Sequence, residues 1–296
     1  MFVLFRYVLY FLGFYTLTML TCFALHAFLP NPPRILGFIA RSMSAYLTLI
    51  VCAAYGTIAS ATLKVLGLHY TYAFWTVARA FKWLGMYTIG VKFDILDNGE
   101  DILNNNRPVV IIANHQTELD VGLLGWIWPK HCSITAKKSL RNIPFLGWFM
   151  TLAGAVFIDR VDRSQAIKAF EGAANAMREK KQSVVIFPEG TRSYSTTPML
   201  LPFKKGAFHL AVQAGVPIVP VVAENYSHVL NVKARRFNSG TIRLTIVLVL
   251  DPIPTKGLTA ADVDHLTRDT REKMLNVLEA LGRDSASQTE RNKKES

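Results

Sequence analysis

Chemistry in this chain is expected to start at a histidine. His115 precedes Asp120 by five residues in Asn114-His115-Gln116-Thr117-Glu118-Leu119-Asp120, directly after the apolar run Val109–Ala113. A carboxylate that holds one imidazole nitrogen and stabilises the protonated ring leaves the other nitrogen free as a general base. Thr117 suits a helix N-cap, with Glu118, Leu119 and Asp120 as the first turn, so the carboxylate can fold back toward the imidazole. The spacing alone is weak evidence, because a capped helix start with a surface histidine reads the same way. Its place after a buried strand strengthens it, since α/β sheets carry their functional groups at the carboxyl ends of strands.

A second run, Val184–Phe187, ends in Pro188-Glu189-Gly190-Thr191-Arg192-Ser193. Gly190 permits a tight turn, and the planar fork of Arg192 suits two phosphate oxygens. The plain alternative is a turn with a solvated arginine. Gly154 to Arg160 forms a third cluster, an apolar run closing on Asp159 and Arg160, and Lys137 and Lys138 follow the strand that starts near Cys132. Several cations near strand ends imply an anionic ligand. No metal-binding spacing occurs, and the three cysteines, Cys22, Cys52 and Cys132, form no zinc or disulfide framework. Cys132 as an acyl-carrying nucleophile is the covalent alternative, and the absence of a Gly-x-Ser-x-Gly elbow argues against serine-hydrolase chemistry.

These groups need a scaffold. Short β-rich runs at Val91–Leu96, Val109–Ala113, Cys132–Ala136, Val184–Phe187, Ile218–Val222 and Ile242–Leu250 alternate with helical patterns at Ser164–Lys181, Phe203–Ala214 and Thr259–Leu281. The expected fold class is α/β, a central, mostly buried sheet flanked by helices. Residues 69–282 make this domain, and the polar stretch 283–296 is expected to be disordered.

A mean hydropathy of +0.24 exceeds what one soluble core needs. After Arg6 no charge appears until Arg34, and after Arg41 none until Lys64. Residues 1–68 are therefore expected to form a transmembrane hairpin with spans at Tyr7–Leu29 and Ser44–Leu66, broken at Pro30-Asn31-Pro32-Pro33. A cleaved signal peptide followed by a buried helix is the alternative. Arg6, Lys64, Arg79 and Lys82 favour a cytosolic domain, whereas Arg34 and Arg41 in the connection argue the other way. Tyr72–Met86 carries an apolar stripe with Arg79 and Lys82 off it, which reads as an interfacial helix with snorkelling cations or as a core-facing helix. The net charge of +12 fits a lipid surface better than nucleic acid, for which no motif is present.

Taken in order, the His115 segment, Gly154 to Arg160, Phe187 to Ser193 and Val216-Pro217-Ile218-Val219-Pro220-Val221 resemble the glycerolipid acyltransferase family, specifically 1-acyl-sn-glycerol-3-phosphate acyltransferases of fungal type. The resemblance covers roughly residues 70–280 and implies His115 as base with Asp120 as its partner. It further implies a glycerol-phosphate site of Arg160, Glu189, Gly190, Thr191 and Arg192, with Lys137 as another phosphate contact. Implied partners are acyl-CoA as co-substrate, lysophosphatidic acid and a phospholipid membrane, with no cofactor. The implied location is the endoplasmic reticulum membrane or lipid droplets, facing the cytosol. Thr117 and Glu118 stand where many members have Ser and Thr or other small polar residues.

Overall fold

The computed structural model describes residues 2–159, 161–246 and 252–295. Three helices come first: α1 (Phe2–Phe28), α2 (Arg34–Val65) and α3 (His69–Thr88). There follow β1 (Val91–Ile95), α4 (Gly99–Asn105), β2 (Val110–Ala113), α5 (Asp120–Ile127), β3 (Cys132–Lys137), a 3-10 turn over Lys138–Asn142, α6 (Leu146–Leu152) and β4 (Val156–Ile158). The chain continues through α7 (Arg163–Lys180), β5 (Ser183–Ile186), α8 (Gly206–Ala214), β6 (Ile218–Ala223), the β7–β8 ribbon (Leu230–Asn231, Arg236–Phe237), β9 (Gly240–Ile246) and α9 (Val263–Glu295).

Seven strands form one sheet in the order β1-β9-β6-β2-β5-β3-β4. All neighbours run parallel except β6 and β9, so β1 and β9 oppose the other five. The continuous apolar runs arise because both faces are covered. Along β2, Val110 and Ile112 join the core under α7, α8 and α9, whereas Ile111 and Ala113 join the core under α3 and α5. The expected strand Ile242–Leu250 is realised in β9 through Ile246, and residues 247–250 lie outside the described residues.

α1 and α2 are long and apolar enough to cross a membrane. The second helix departs from expectation: it starts at Arg34, ten residues before the expected span, so the break is confined to Leu29–Pro33. Arg41 is tolerated inside α2 because it turns inward, donating from Nη1 to the Ile89 carbonyl at 2.8 Å, just past the end of α3. It is therefore a helix residue and not a loop charge. Small buried residues of α2 (Ser44, Thr48, Gly56) let it lie closely along α3, while Gly37 makes room for His26 of α1. Ser44 Oγ donates to the Thr88 carbonyl at 2.7 Å within that contact.

α3 is core-facing. Phe74, Val77, Ala78 and Phe81 are buried, and its two cations do not reach outward. Arg79 donates to the Gly125, Trp126 and Trp128 carbonyls at 3.3–3.4 Å, capping the end of α5, and Lys82 Nζ sits 3.9 Å from the Trp126 ring centre. The snorkelling alternative fails because unsatisfied carbonyls at a buried helix end are nearer acceptors than any headgroup. The tail also differs: α9 runs to Glu295 instead of ending near Gly282. Beyond Gly282 the chain has no Gly or Pro and includes two each of Glu, Arg and Lys, so an existing helix propagates where low hydrophobicity alone suggests disorder.

Candidate active site

Parallel pairing decides what meets. β6, β2, β5 and β3 are consecutive neighbours in the sheet and run the same way, so their carboxyl ends emerge on one edge. On that edge lie the loop before Tyr226, the His115 turn, the Glu189–Arg192 turn and Lys137. Asn114 ties two of these loops together, its amide exchanging hydrogen bonds with the Ala223 carbonyl at 2.9 Å and the Ala223 N–H at 2.8 Å.

His115 Nδ1 lies 2.7 Å from Asp120 Oδ2, as the five-residue spacing suggested. Helix α5 starts at Asp120 itself, two residues later than expected, and Thr117 Oγ1 accepts from the Leu119 N–H at 3.1 Å in the turn before it. The backbone N–H of Gln116 donates to Asp120 Oδ2 at 2.7 Å and that of Thr117 at 3.2 Å. Asp120 is 1% exposed, and such a carboxylate is sustained only by this many donors. The His115 ring stacks on Phe187 at 4.2 Å between centres, which fixes its plane. Its Nε2 has no hydrogen-bond partner among the described residues.

Sequence reasoning missed Tyr226. Its buried hydroxyl donates to Asp120 Oδ1 at 2.6 Å and accepts from the Thr117 N–H at 3.1 Å. Burial, and then the Asp120 charge, push this phenol well above its ordinary pKa, so it remains a donor. No local signal marks it; only its place three residues beyond the end of β6 could have drawn notice.

The second turn is divided between support and exposure. Glu189, placed by the family resemblance among substrate contacts, is 3% exposed. Its Oε1 accepts from the His115 N–H at 2.7 Å and its Oε2 from the Leu201 N–H at 2.9 Å. With an N–H on each oxygen, Glu189 braces the His115 backbone from a buried position. Burial raises its pKa, and the two N–H donors partly offset that rise. Gly190 has φ +69°, and a Cβ there would come within 2.8 Å of Lys204 Cε, so conformation and space both require glycine. Lys204 is a second cation at this turn that the sequence reading did not single out. Thr191 is exposed beside it.

Arg192 Nη1 donates to Glu118 Oε1 at 3.0 Å, and the Tyr194 hydroxyl donates to the same oxygen at 2.6 Å. Burial opposes the guanidinium charge, but the Tyr194 hydrogen bond and the Glu118 charge outweigh it and raise the pKa. Arg192 Nε is buried with no acceptor among the described residues. The two turns are joined by backbone as well, Ser193 N–H to the His115 carbonyl at 2.9 Å and Tyr194 N–H to the Gln116 carbonyl at 3.1 Å.

Lys137 stands exposed at the end of β3, and Lys138 pairs with Asp159 at 3.0 Å. That hydrogen bond and those from the Val161 and Asp162 N–H groups hold the Asp159 carboxyl below its usual range. Arg160, expected in the phosphate site, lies outside the described residues. Cys132 is buried in β3, which pushes its thiol far above its ordinary pKa, the opposite of an activated nucleophile.

Comparison with known proteins identifies the family. A family model described as acyltransferase matches residues 94–224. An uncharacterized acyltransferase of Schizosaccharomyces pombe is 43% identical over 83% of this chain and 86% of its own length. The 1-acyl-sn-glycerol-3-phosphate acyltransferase of Saccharomyces cerevisiae is 41% identical over 82% of this chain and 78% of its own. The crystal structure of the 1-acyl-sn-glycerophosphate acyltransferase PlsC from Thermotoga maritima shares the fold, with a TM-score of 0.55 and 22% identity over 81% of this chain and 98% of that one. With a seven-stranded sheet under two apolar helices and curated relatives above 40% identity across most of their length, this chain is an acyltransferase and belongs to the family of the 1-acyl-sn-glycerol-3-phosphate acyltransferases.

Proposed function

We propose that the protein transfers a fatty acyl group from acyl-CoA to the 2-hydroxyl of 1-acyl-sn-glycerol-3-phosphate, giving phosphatidic acid. The observation that carries this is the 2.7 Å contact between His115 Nδ1 and the buried Asp120, which leaves Nε2 without a partner among the described residues, beside a turn bearing Arg192. Nε2 takes the hydroxyl proton as the lipid oxygen attacks the thioester carbonyl, and Asp120 stabilises the imidazolium that results. The C–O bond forms, the C–S bond breaks, and coenzyme A leaves as a thiolate that recovers the proton from His115. Thiols ionise near pH 8.5, so this departure needs no strong acid.

Arg192, whose Nε has no acceptor among the described residues, supplies donors for the lipid phosphate, and Lys137, Lys204 and Arg160 supply further positive charge. Glu118 holds the Arg192 fork and must yield part of it when phosphate binds. The two N-terminal helices would anchor the domain at the endoplasmic reticulum membrane on its cytosolic face. Protease protection of the C-terminus in sealed microsomes would reverse that orientation.

The test is turnover of labelled acyl-CoA in purified membranes with a panel of acceptors: lysophosphatidic acid, other lysophospholipids and glycerol-3-phosphate. Lysophosphatidic acid is expected to be acylated fastest, and His115→Ala, with an unchanged unfolding transition, to lose at least about 100-fold in kcat. Near-normal turnover by that variant removes the base, and a faster reaction with another acceptor removes the substrate assignment.

A further inference from the structure

Outside the first two helices, three large apolar side chains crowd one short connection. Between the 3-10 turn and α6, Ile143 and Phe145 are each 43% exposed, and Trp148 is 52% exposed. Such side chains rarely cluster on a surface that faces only water.

The chain is built to keep them there. Phe145 adopts φ +60°, a left-handed conformation that costs energy for any residue with a β-carbon. Three contacts hold it: Thr57 Oγ1 on α2 donates to the Phe145 carbonyl at 3.0 Å, the Phe149 N–H donates to the same oxygen at 2.8 Å, and the Leu146 N–H donates to the Pro144 carbonyl at 2.7 Å. Gly147 closes the turn so tightly that a Cβ would lie 2.1 Å from the Arg141 carbonyl oxygen. The Phe145 and Trp148 rings meet edge to face at 5.2 Å, and both stay exposed. Strain is thus maintained in order to present aromatic rings outward.

Two observations say what covers them. The connection is continuous with the apolar surface of α2, where Ile58, next to Thr57, is 70% exposed, and Phe149 packs on Gly56. Its flanks are basic: Lys137, Lys138 and Arg141 are exposed, and no acidic residue occurs between Asp120 and Asp159. Aromatic rings bordered by Lys and Arg are the composition of a membrane interface, and net positive charge selects anionic headgroups.

We propose that Ile143, Phe145 and Trp148 form a wedge that enters the border of an anionic bilayer, with Lys137 and Arg141 against the headgroups. The catalytic domain then has a membrane contact of its own, separate from the two N-terminal helices. The wedge follows β3, next to β5 in the sheet, so this contact sets the sheet edge that carries His115 and Arg192 toward the lipid surface. It depends on α2 lying in a bilayer and not on acyl transfer.

The full chain, with Cys22→Ser, is reconstituted in phosphatidylcholine vesicles containing phosphatidylglycerol, and Phe145→Cys is labelled with an environment-sensitive fluorophore. Cys52 and Cys132 are buried and remain unlabelled. A label at Lys256→Cys, exposed near the opposite edge of the sheet, is the reference. Nitroxide-bearing lipids are expected to quench the probe at 145 at least twofold more than the reference, with iodide quenching reduced to the same degree. Trp148→Cys carries the same expectation from an ordinary helical backbone, so a misfolded Phe145 variant does not shelter the proposal. A probe at both positions that iodide quenches like the reference overturns it. So does one shielded from both quenchers, which would mean that protein covers the wedge.

Discussion

The turn after β2 and the turns after β5 and β3 sit on one sheet edge, yet they are finished to different degrees. Around Asp120 every donor is in place before any substrate arrives: the His115 ring, the Gln116 and Thr117 N–H groups and the Tyr226 hydroxyl converge on one buried carboxylate. The cations opposite are half exposed and held by carboxylates of the chain itself, Arg192 by the exposed Glu118 and Lys138 by the half-buried Asp159. The proton-transfer half is thus preorganised, which lowers reorganisation in the transition state. The anion-binding half is occupied by weak, screened pairs that a lipid phosphate can displace.

The contrast can be broken most severely at Asp120. Asp120→Asn keeps the shape but offers an amide N–H where the network needs acceptors, and kcat is expected to fall on the order of 10³–10⁴-fold with little change in KM. A loss expressed mainly in KM would assign Asp120 to binding. Tyr226→Phe comes next. A hydrogen bond to a charged group is worth about 1.5–3 kcal/mol, so kcat should drop roughly 10- to 100-fold. A purely structural tyrosine would lower the unfolding temperature and leave kcat of the folded enzyme unchanged.

On the other half the effects should be small and of opposite sign. Glu118→Gln frees the Arg192 fork from a surface pair worth about 0.2–1 kcal/mol, so KM for lysophosphatidic acid should fall by up to about fivefold while kcat holds. A rise in KM would show that Glu118 assists the phosphate instead of competing with it. The smallest effect belongs to Cys132. Its raised pKa keeps the thiol protonated at neutral pH, and deprotonation begins only well into the alkaline range. Iodoacetamide at pH 7 should leave Cys132 unmodified and activity unchanged; alkylation with loss of turnover would restore the covalent route.

Part of this site was legible because its contacts are short in sequence. His115 meets Asp120 across one turn, and strand-then-polar-turn patterns at Ala113 and Ile186 marked where function would sit. The small elements α4 and α6 and the β7–β8 ribbon left no periodic trace, being too short to repeat. Arg41 and Arg79 read as membrane-flanking charges, because sequence cannot show that the carbonyls closing α3 and α5 lack other partners.

The sequence by itself determined two apolar helices, a buried sheet and a histidine–aspartate pair, since hydrophobic period and turn geometry act over a few residues. Only the tertiary structure decided that Glu189 supports the His115 backbone from 74 positions away and that Tyr226 reaches Asp120 from 106. Those contacts exist because β6, β2 and β5 pair in parallel, and strand order is a property of the assembled core that no local pattern encodes.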